Sequence, residues 1–559
     1  NTRYTKRITN TLITDNQNLI LKNMNRIIKN LKYATLIMAM LLLNACNLDI
    51  NTDPNNPSAV NSGQLLTNAQ LDIVNSLGAG PPGLANPAGV FVHQLTQRSN
   101  NDQYAITGQD FSPTQAWANM YRAIQNLNGL IEQANANQHF AYTGVAQIMK
   151  AMAFSYMVDV WGDVPFTEAS TSAKIQFPKF DKGQDVYPQL FTMIDEGIAN
   201  LAKNSALSPR TDDLIYGGNL VRWRQFAKTL KLKLYNQIRL TQNVSTQVNA
   251  LISEGDLMVS GGGFSLNYGT SSAPDNRNPI FREDYNITTS GRDNYVSPYF
   301  HEILLGTSTL NPVLSGIRDP RIPYYYFNQL SNARPNAQNP VEYRNGNFVS
   351  IYFSSQGPNQ GFDQSSSNTI VGLYYCGGRY DDGNGVTAAG VSGASARGDG
   401  PQRILPYHSY LFTRAELAQT SVGTGNAKQL FTDAMNAAFA EVNAAAARGG
   451  APAITAALIK EYVDAVLAKY DAANDSGKLE LIMTEKWIAN FGFGLESYND
   501  IRRTGFPKVF DPNTDGLAFT NVNRGFPVSY PYPVPGELQL NPNAPQQRVI
   551  ANDKVFWQK

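Results

Sequence analysis

Twice in succession between residues 115 and 161, apolar side chains return every third or fourth position, and this constrains the chain more than any other feature. Trp117, Tyr121, Ile124, Leu127 and Ile131 share one face of a stretch from Gln115 to Ala136. Val145, Met149, Met152, Ala153, Tyr156, Met157 and Val160 share one face of Tyr142 to Trp161. This is the 3.6-residue period of an amphipathic helix, and the short Asn135–Tyr142 link makes the two helices antiparallel neighbours. The same period predicts helices over Ser62–Leu77, Val186–Lys203, Leu220–Leu240, Ser409–Thr420, Asn426–Ala447, Ile454–Tyr470 and Lys478–Phe491. Small Ala and Gly residues on these faces permit close helix approach. Helix pairs of roughly 35–45 residues suggest tetratricopeptide-like stacking, although no clean consensus of that repeat is present.

Residues 255–405 have another texture. Gly261-Gly262-Gly263, the Asn/Gln/Ser run from Gln356 to Asn368 and the Gly/Ala run from Gly383 to Gly400 read as loops, with short β-like pieces at Phe348–Phe353 and Ile370–Tyr375. The expected fold is therefore mainly α, with tetratricopeptide-like helix pairs forming a scaffold for a large, irregular, loop-rich region and a few short strands. Long loops on a rigid scaffold are where binding tends to reside.

The N-terminus reads as an address. Lys29 and Lys32 precede an apolar run from Ala34 to Leu43, too short to span a bilayer but right for the apolar region of a signal peptide. Leu43-Asn44-Ala45-Cys46 is similar to a bacterial lipobox, although Asn44 is less usual there than Ala or Ser. Cleavage before Cys46 would leave that cysteine as the acylated, palmitate-bearing first residue. Residues 1–45 are thus expected to be a removed signal peptide with an over-long start ahead of Met24. Residues 46–60, rich in Asn and Pro, are expected to be a lipidated tether, and residues 61–559 a single α-helical domain with the loop-rich insertion at 255–405.

Net charge is +1, so no strong field favours nucleic acid. The four histidines, His93, His139, His301 and His408, have no second His or Cys at metal-ligand spacing. No Gly-x-Ser-x-Gly elbow, Walker loop or His-Glu-x-x-His is present. Asp159 and Asp163 lie one helical turn apart and are the pair a glycosidase reading would need. Asp381-Asp382-Gly383-Asn384 has oxygens suited to a structural Ca²⁺ but no Glu at the twelfth position, so a plain turn is the alternative. No other cofactor is expected.

Several motifs then carry a family resemblance. They are Asp49-Ile50-Asn51-Thr52-Asp53-Pro54-Asn55-Asn56-Pro57 after the lipobox, and Val158-Asp159-Val160-Trp161-Gly162-Asp163-Val164-Pro165-Phe166 at a helix end. Further along come Leu214-Ile215-Tyr216-Gly217-Gly218-Asn219 with Trp223 and Phe226, Asp319-Pro320-Arg321, Arg414-Ala415-Glu416, and the run from Gly494 to Pro507. In this order they resemble the SusD/RagB family, in its SusD-like lipoprotein branch. The resemblance implies a lipid-anchored protein on the cell-surface side of the outer membrane. It implies capture of an oligomeric nutrient and a role as the lid of a SusC-like TonB-dependent barrel transporter, not an enzyme. The motifs themselves read as scaffold. Gly162 ends a helix where positive φ is wanted, and Arg502 and Arg503 stand near Glu496 and Asp500.

Oligosaccharides need flat aromatic faces with Asn, Gln, Asp and Arg on the hydroxyls, whereas peptides need backbone-like hydrogen bonds. Two loop stretches offer the first mixture. One carries Arg98, Asn100, Asn101 and Tyr104, in a loop where the resemblance places ligand contacts, although no tryptophan stands there. The other carries Arg282, Tyr285, Arg292 and Tyr295. Tyr324, Tyr325, Tyr326, Tyr374 and Tyr375 are further candidates. The ligand is expected to be an oligosaccharide or, as the alternative, a peptide. A surface glycosidase and an adhesive surface protein are the other readings.

Overall fold

Gly162 shows how this sequence sets an element boundary. It lies at φ +84°, a left-handed backbone that stops the preceding helix, and Pro165 follows to prevent its resumption. The structure, a computed structural model, describes residues 21–29, 61–98, 104–169, 175–285, 292–332, 342–353, 364–386, 390–511, 514–515 and 524–559. Cys46 and the tether lie outside the described residues. Residues 21–29 form a helix in a first unit ending at Asn61, and Ser62–Lys559 forms the second, compact unit.

In the second unit, α1 (Ser62–Leu77), α2 (Ala85–Phe91), α3 (Phe111–Ala136), α4 (Phe140–Trp161), α5 (Gly183–Leu201), α6 (Leu220–Ile238) and α7 (Ser245–Glu254) come first. α1 packs on α3, α3 on α4, α4 on α5, and α5 on α6. α4 is buried on nearly every side because its residues are apolar or small. Gly144 of α4 meets Gly197 of α5 so closely that a Cβ on Gly144 would fall 2.7 Å from the Gly197 carbonyl. A second helical block contains α12 (Tyr407–Gln419), α13 (Ala427–Gly449), α14 (Ala456–Ala472), α15 (Asp475–Ala489) and α16 (Gly494–Thr504). There α12 packs on α13 and α15, and α16 returns to α2. The periodicity places α1, α3–α6 and α12–α15 to within about a turn, whereas α2 and α16 are not among the helices it predicts. α7, which buries only Val248 and Leu251, carries too narrow an apolar stripe to be read from sequence.

Between the blocks lie α8 (Pro279–Tyr285), α9 (Pro298–Leu305), α10 (Ile322–Tyr325) and α11 (Leu373–Cys376). The described strands form two-stranded antiparallel ribbons: β1 (Leu95–Gln97) with β3 (Asn294–Val296), β2 (Phe264–Leu266) with β8 (Gln402–Leu405), β4 (Tyr326–Phe327) with β7 (Ile370–Val371), and β5 (Glu342–Asn345) with β6 (Phe348–Ile351). The expected strand Ile370–Tyr375 is thus a two-residue strand followed by a helical turn. This region has its own dense interior, since Tyr324, Tyr325, Tyr326, Tyr374 and Tyr375 are all buried in the continuous apolar core.

A buried ionic network ties α6, α12, α15 and α16 together. Glu416 accepts from Arg239 and Arg503, each at 2.8 Å, and Arg503 also holds Asp500 at 2.7 Å. Lys486 reaches Asp500 at 2.9 Å and Glu496 at 3.3 Å, and Lys233 reaches Glu496 at 3.2 Å. Arg502, expected to pair with a carboxylate, instead donates to the Val528 carbonyl at 2.8 Å and the Asp159 carbonyl at 2.6 Å, with its guanidinium over Tyr498. Arg321, with no exposed surface, bridges Asp319 at 2.6 Å and Glu485 at 2.9 Å. The motifs Asp319-Pro320-Arg321, Arg414-Ala415-Glu416 and Gly494–Pro507 therefore brace the scaffold.

Candidate ligand-binding site

The ribbon of β1 and β3 brings together the two stretches singled out in the sequence. Leu95, Thr96 and Gln97 pair with Val296, Tyr295 and Asn294. Beyond that pairing the Arg98 amide donates to the Asp293 carbonyl at 2.9 Å, and Arg98 Nε donates to the Arg292 carbonyl at 3.1 Å. Arg98 is half-buried at the end of the ribbon. Asn100 and Asn101 lie outside the described residues.

Tyr104, Tyr285, Arg292 and Tyr295 are corrections to the expectation of ligand-facing loop residues, because all four are buried. Tyr104 meets His93 Nε2 at 2.9 Å and packs against Phe353 at 4.8 Å between centroids. Burial lowers His93 to about 3, the hydrogen bond with the Phe510 backbone working the other way, so the ring is neutral. Tyr285 stacks on Phe281 at 4.7 Å, donates to the Val371 carbonyl and accepts from the Arg379 amide, each at 2.9 Å. Arg292 donates to the carbonyls of Asp284 and Val391. Tyr295 donates to Gln364 at 3.1 Å. The physical reason is that a region with few long helices needs bulk to fill its interior, and these large side chains turn inward to supply it. Replacing Tyr104 by Phe should cost about 1–3 kcal/mol in chemical denaturation, through loss of the partner of a buried imidazole.

What remains open lies at the two ends of the ribbon. At one end a narrow cleft of about 30 Å³ is lined by His93, Tyr299, Glu302, Tyr352, Phe353 and Phe510. Tyr343 donates to Glu302 at 2.9 Å, and burial raises the Glu302 carboxyl. At the other end three amides meet: Gln97 Nε2 donates to Asn86 Oδ1 at 3.2 Å and to Asn294 Oδ1 at 3.4 Å, and Asn86 Nδ2 donates to Asn294 Oδ1 at 3.4 Å. Asn86 and Gln97 line a groove of about 170 Å³ with Phe91, Asp110 and Ser112. Behind the amides Asn294 Nδ2 donates to Asp284 at 3.3 Å, and burial lifts Asp284 to about 7. Aromatic walls at one end and oriented amides at the other suit a chain of hydroxyl-bearing rings. No sequence signal marked Asn86 or Glu302, since neither sits in a polar-aromatic run.

The carboxylates of the enzyme reading are otherwise engaged. Asp159 is fully buried and accepts from Tyr187 at 2.6 Å, Trp557 at 2.8 Å and Asn499 at 3.4 Å. Asp163 accepts from the Gly183 amide at 3.1 Å and pairs with Lys182 at 2.7 Å. Asp381 and Asp382 accept from the Gly383 and Asn384 amides, closing turns. Among the described residues no group of three or more His, Cys, Asp or Glu side chains is placed to hold a metal, and no helix is long and apolar enough to cross a membrane.

Comparison with known proteins fits this scaffold. A SusD-like family model, described as "Starch-binding associating with outer membrane", matches residues 54–533. No curated protein sequence matches the chain. Among solved structures, a SusD/RagB family protein from Bacteroides thetaiotaomicron is similar over 89% of this chain and 99% of that one, with a TM-score of 0.64 at 19% identity. A SusD homolog from Bacteroides fragilis covers 90% of this chain and 100% of its own, with a TM-score of 0.62 at 18% identity. A chitin-binding protein covers 85% and 93%, with a TM-score of 0.61 at 20% identity. These likenesses establish a shared mainly helical fold. Because the family model spans most of the sequence, residues 54–533, the chain belongs to the SusD-like family of outer-membrane-associated proteins.

Proposed function

We propose that this protein is a cell-surface outer-membrane lipoprotein, anchored through acylated Cys46, that binds an oligosaccharide and passes it to a SusC-like TonB-dependent barrel transporter, on which it acts as a lid. The observation that carries the reading is the family match over residues 54–533, whose description is starch binding. The chitin-binding name of one structural relative points to the same ligand class. The open ends of the β1–β3 ribbon offer aromatic and amide groups for gripping a glycan, while Asp159, held by three donors in the interior, acts as an anchor and not as a catalytic acid.

The expected results are specific. Cells fed labelled palmitate label the parent and not Cys46→Ser, and the parent co-purifies with a barrel protein from detergent-solubilised outer membranes. Calorimetry against maltooligosaccharides, chito-oligosaccharides and a peptide library gives binding to a glycan without its cleavage. Peptide binding alone would replace the ligand class. Undiminished labelling of Cys46→Ser would remove the anchor, and turnover of a glycan abolished by Asp159→Asn would restore the enzyme reading.

A further inference from the structure

Beside the Gly78–Gly83 turn, whose Gly80 lies against Pro279, is a separate groove of about 380 Å³. Leu71, Leu214, Leu266 and Pro279 give it an apolar floor. Its polar lining comes from Asn75 of α1, Asn267 and Tyr268 after β2, and Arg282 of α8. The surrounding backbone is held by its own hydrogen bonds. β2 is paired to β8, and the turn after it is closed by the Gly269 amide on the Asn276 carbonyl at 2.9 Å and the Ser271 amide on Asn276 Oδ1 at 2.9 Å.

The charges in the groove do not balance. Arg277, Arg282 and the carboxylate of Asp275 all line it, and Asp275 hydrogen-bonds to Arg277 alone while the Arg282 charge acts on it from farther off. Asp275 Oδ1 accepts from the Arg277 amide at 3.1 Å and from its Nε at 2.9 Å, and Asp275 Oδ2 accepts from Arg277 Nη2 at 2.6 Å. Glu283 is the next residue on α8, and adjacent helical positions do not face one another. Asp72, beside the floor residue Leu71, is engaged by Arg122 at 2.5 Å. The exposed Arg282 guanidinium thus has no hydrogen bond or ion pair among the described residues, nor have the side chains of Asn75 and Asn267 or the Tyr268 hydroxyl. Tyr268 is half-buried, and burial pushes its hydroxyl up to about 12 while the nearby Arg282 works against that rise. One planar cation without a hydrogen-bonding partner, one aromatic face and two idle amides therefore line the same groove.

We infer that this groove binds a negatively charged sugar residue, with its carboxylate or sulfate on Arg282, its ring face against Tyr268 and its hydroxyls on Asn75 and Asn267. A guanidinium matches the two oxygens of such a group, whereas a neutral sugar leaves its charge unanswered. The inference rests on the oligosaccharide reading above and narrows it to acidic glycans. It makes this groove a charge-selecting subsite distinct from the β1–β3 ribbon.

Calorimetry of the full folded protein with three probes tests it: tetragalacturonate for a carboxylate, a carrageenan tetrasaccharide for a sulfate, and maltotetraose as the neutral control. At least one acidic probe should bind about tenfold or more tighter than maltotetraose, and raising the salt toward about 0.5 M should erode the gap through screening. Which acidic probe binds identifies the anion. Arg282→Gln should bring the acidic probe down to the affinity that the same variant has for maltotetraose, and Tyr268→Ala should weaken the acidic probe without removing the salt effect. Equal affinity for acidic and neutral probes, or a preference that survives in Arg282→Gln, overturns the inference and leaves the oligosaccharide reading standing. Binding of none of the three by the folded parent overturns the inference, and the oligosaccharide reading falls with it only if chito-oligosaccharides fail to bind as well.

Discussion

Replacing Glu416 by Ala is expected to lower folding stability by about 3–5 kcal/mol at neutral pH, so that little native protein accumulates. Glu416 has no exposed surface and receives Arg239, Arg503 and Asn236. Alanine would leave two guanidinium groups in the interior facing only each other and the remainder of the network. The cost comes from breaking the pair, since an uncompensated charge in a poorly polarisable interior is worse than no pair at all. Burial alone would raise the Glu416 carboxyl, but Arg503, Arg239 and Lys486 outweigh it and hold it well below the usual carboxylate range. A carboxyl depressed in the folded state adds stability above its unfolded value, near 4.5, and loses it as the pH falls through the folded value. Urea denaturation of parent and variant should therefore show a gap that is full at pH 7 and narrows below about pH 4.5. A pH-independent gap would mean that Glu416 acts by packing alone.

Trp161→Ala should cost about 3–5 kcal/mol in the same measurement, from the lost ring and the cavity left behind. The ring is fully buried, stands edge-on to Trp117 at 5.1 Å and lies near Tyr530 at 6.5 Å, and its Nε1 donates to the Pro531 carbonyl at 3.0 Å. It joins the end of α4 to the C-terminal segment across the core. Trp161→Phe keeps most of the ring volume and should cost about 1–2 kcal/mol, chiefly for the carbonyl left without its donor. In both variants the folded fraction should keep the parent's glycan affinity, because Trp161 borders neither the ribbon nor the Arg282 groove. A fall in affinity that exceeds the unfolded fraction would instead place the Val158–Phe166 motif in ligand binding.

Much of the scaffold is legible in side-chain order. Helical periodicity is local, so the faces of α3 and α4, the stop at Gly162 and the close-packing small residues all follow from spacing along the chain. The site is less legible. Tyr295 and Arg292 look like exposed loop residues in a run of polar neighbours, yet the ribbon with β1 turns them inward to Gln364 and to the carbonyls of Asp284 and Val391. Arg282 stands in an equally polar run and remains open, a difference that no neighbouring residue announces.

Where the helices run, where they stop and which family they belong to are written in the amino-acid order, because those properties depend on spacing over a few residues and on the succession of motifs. Other features arise only when distant segments meet. Glu416 finds Arg503 from 87 positions away, Arg98 joins Arg292 from 194 positions away, and Asn75, Asn267, Tyr268 and Arg282 come to share one groove. Burial and charge balance are sums over every element packed around a residue, and that sum exists only once the chain has closed on itself.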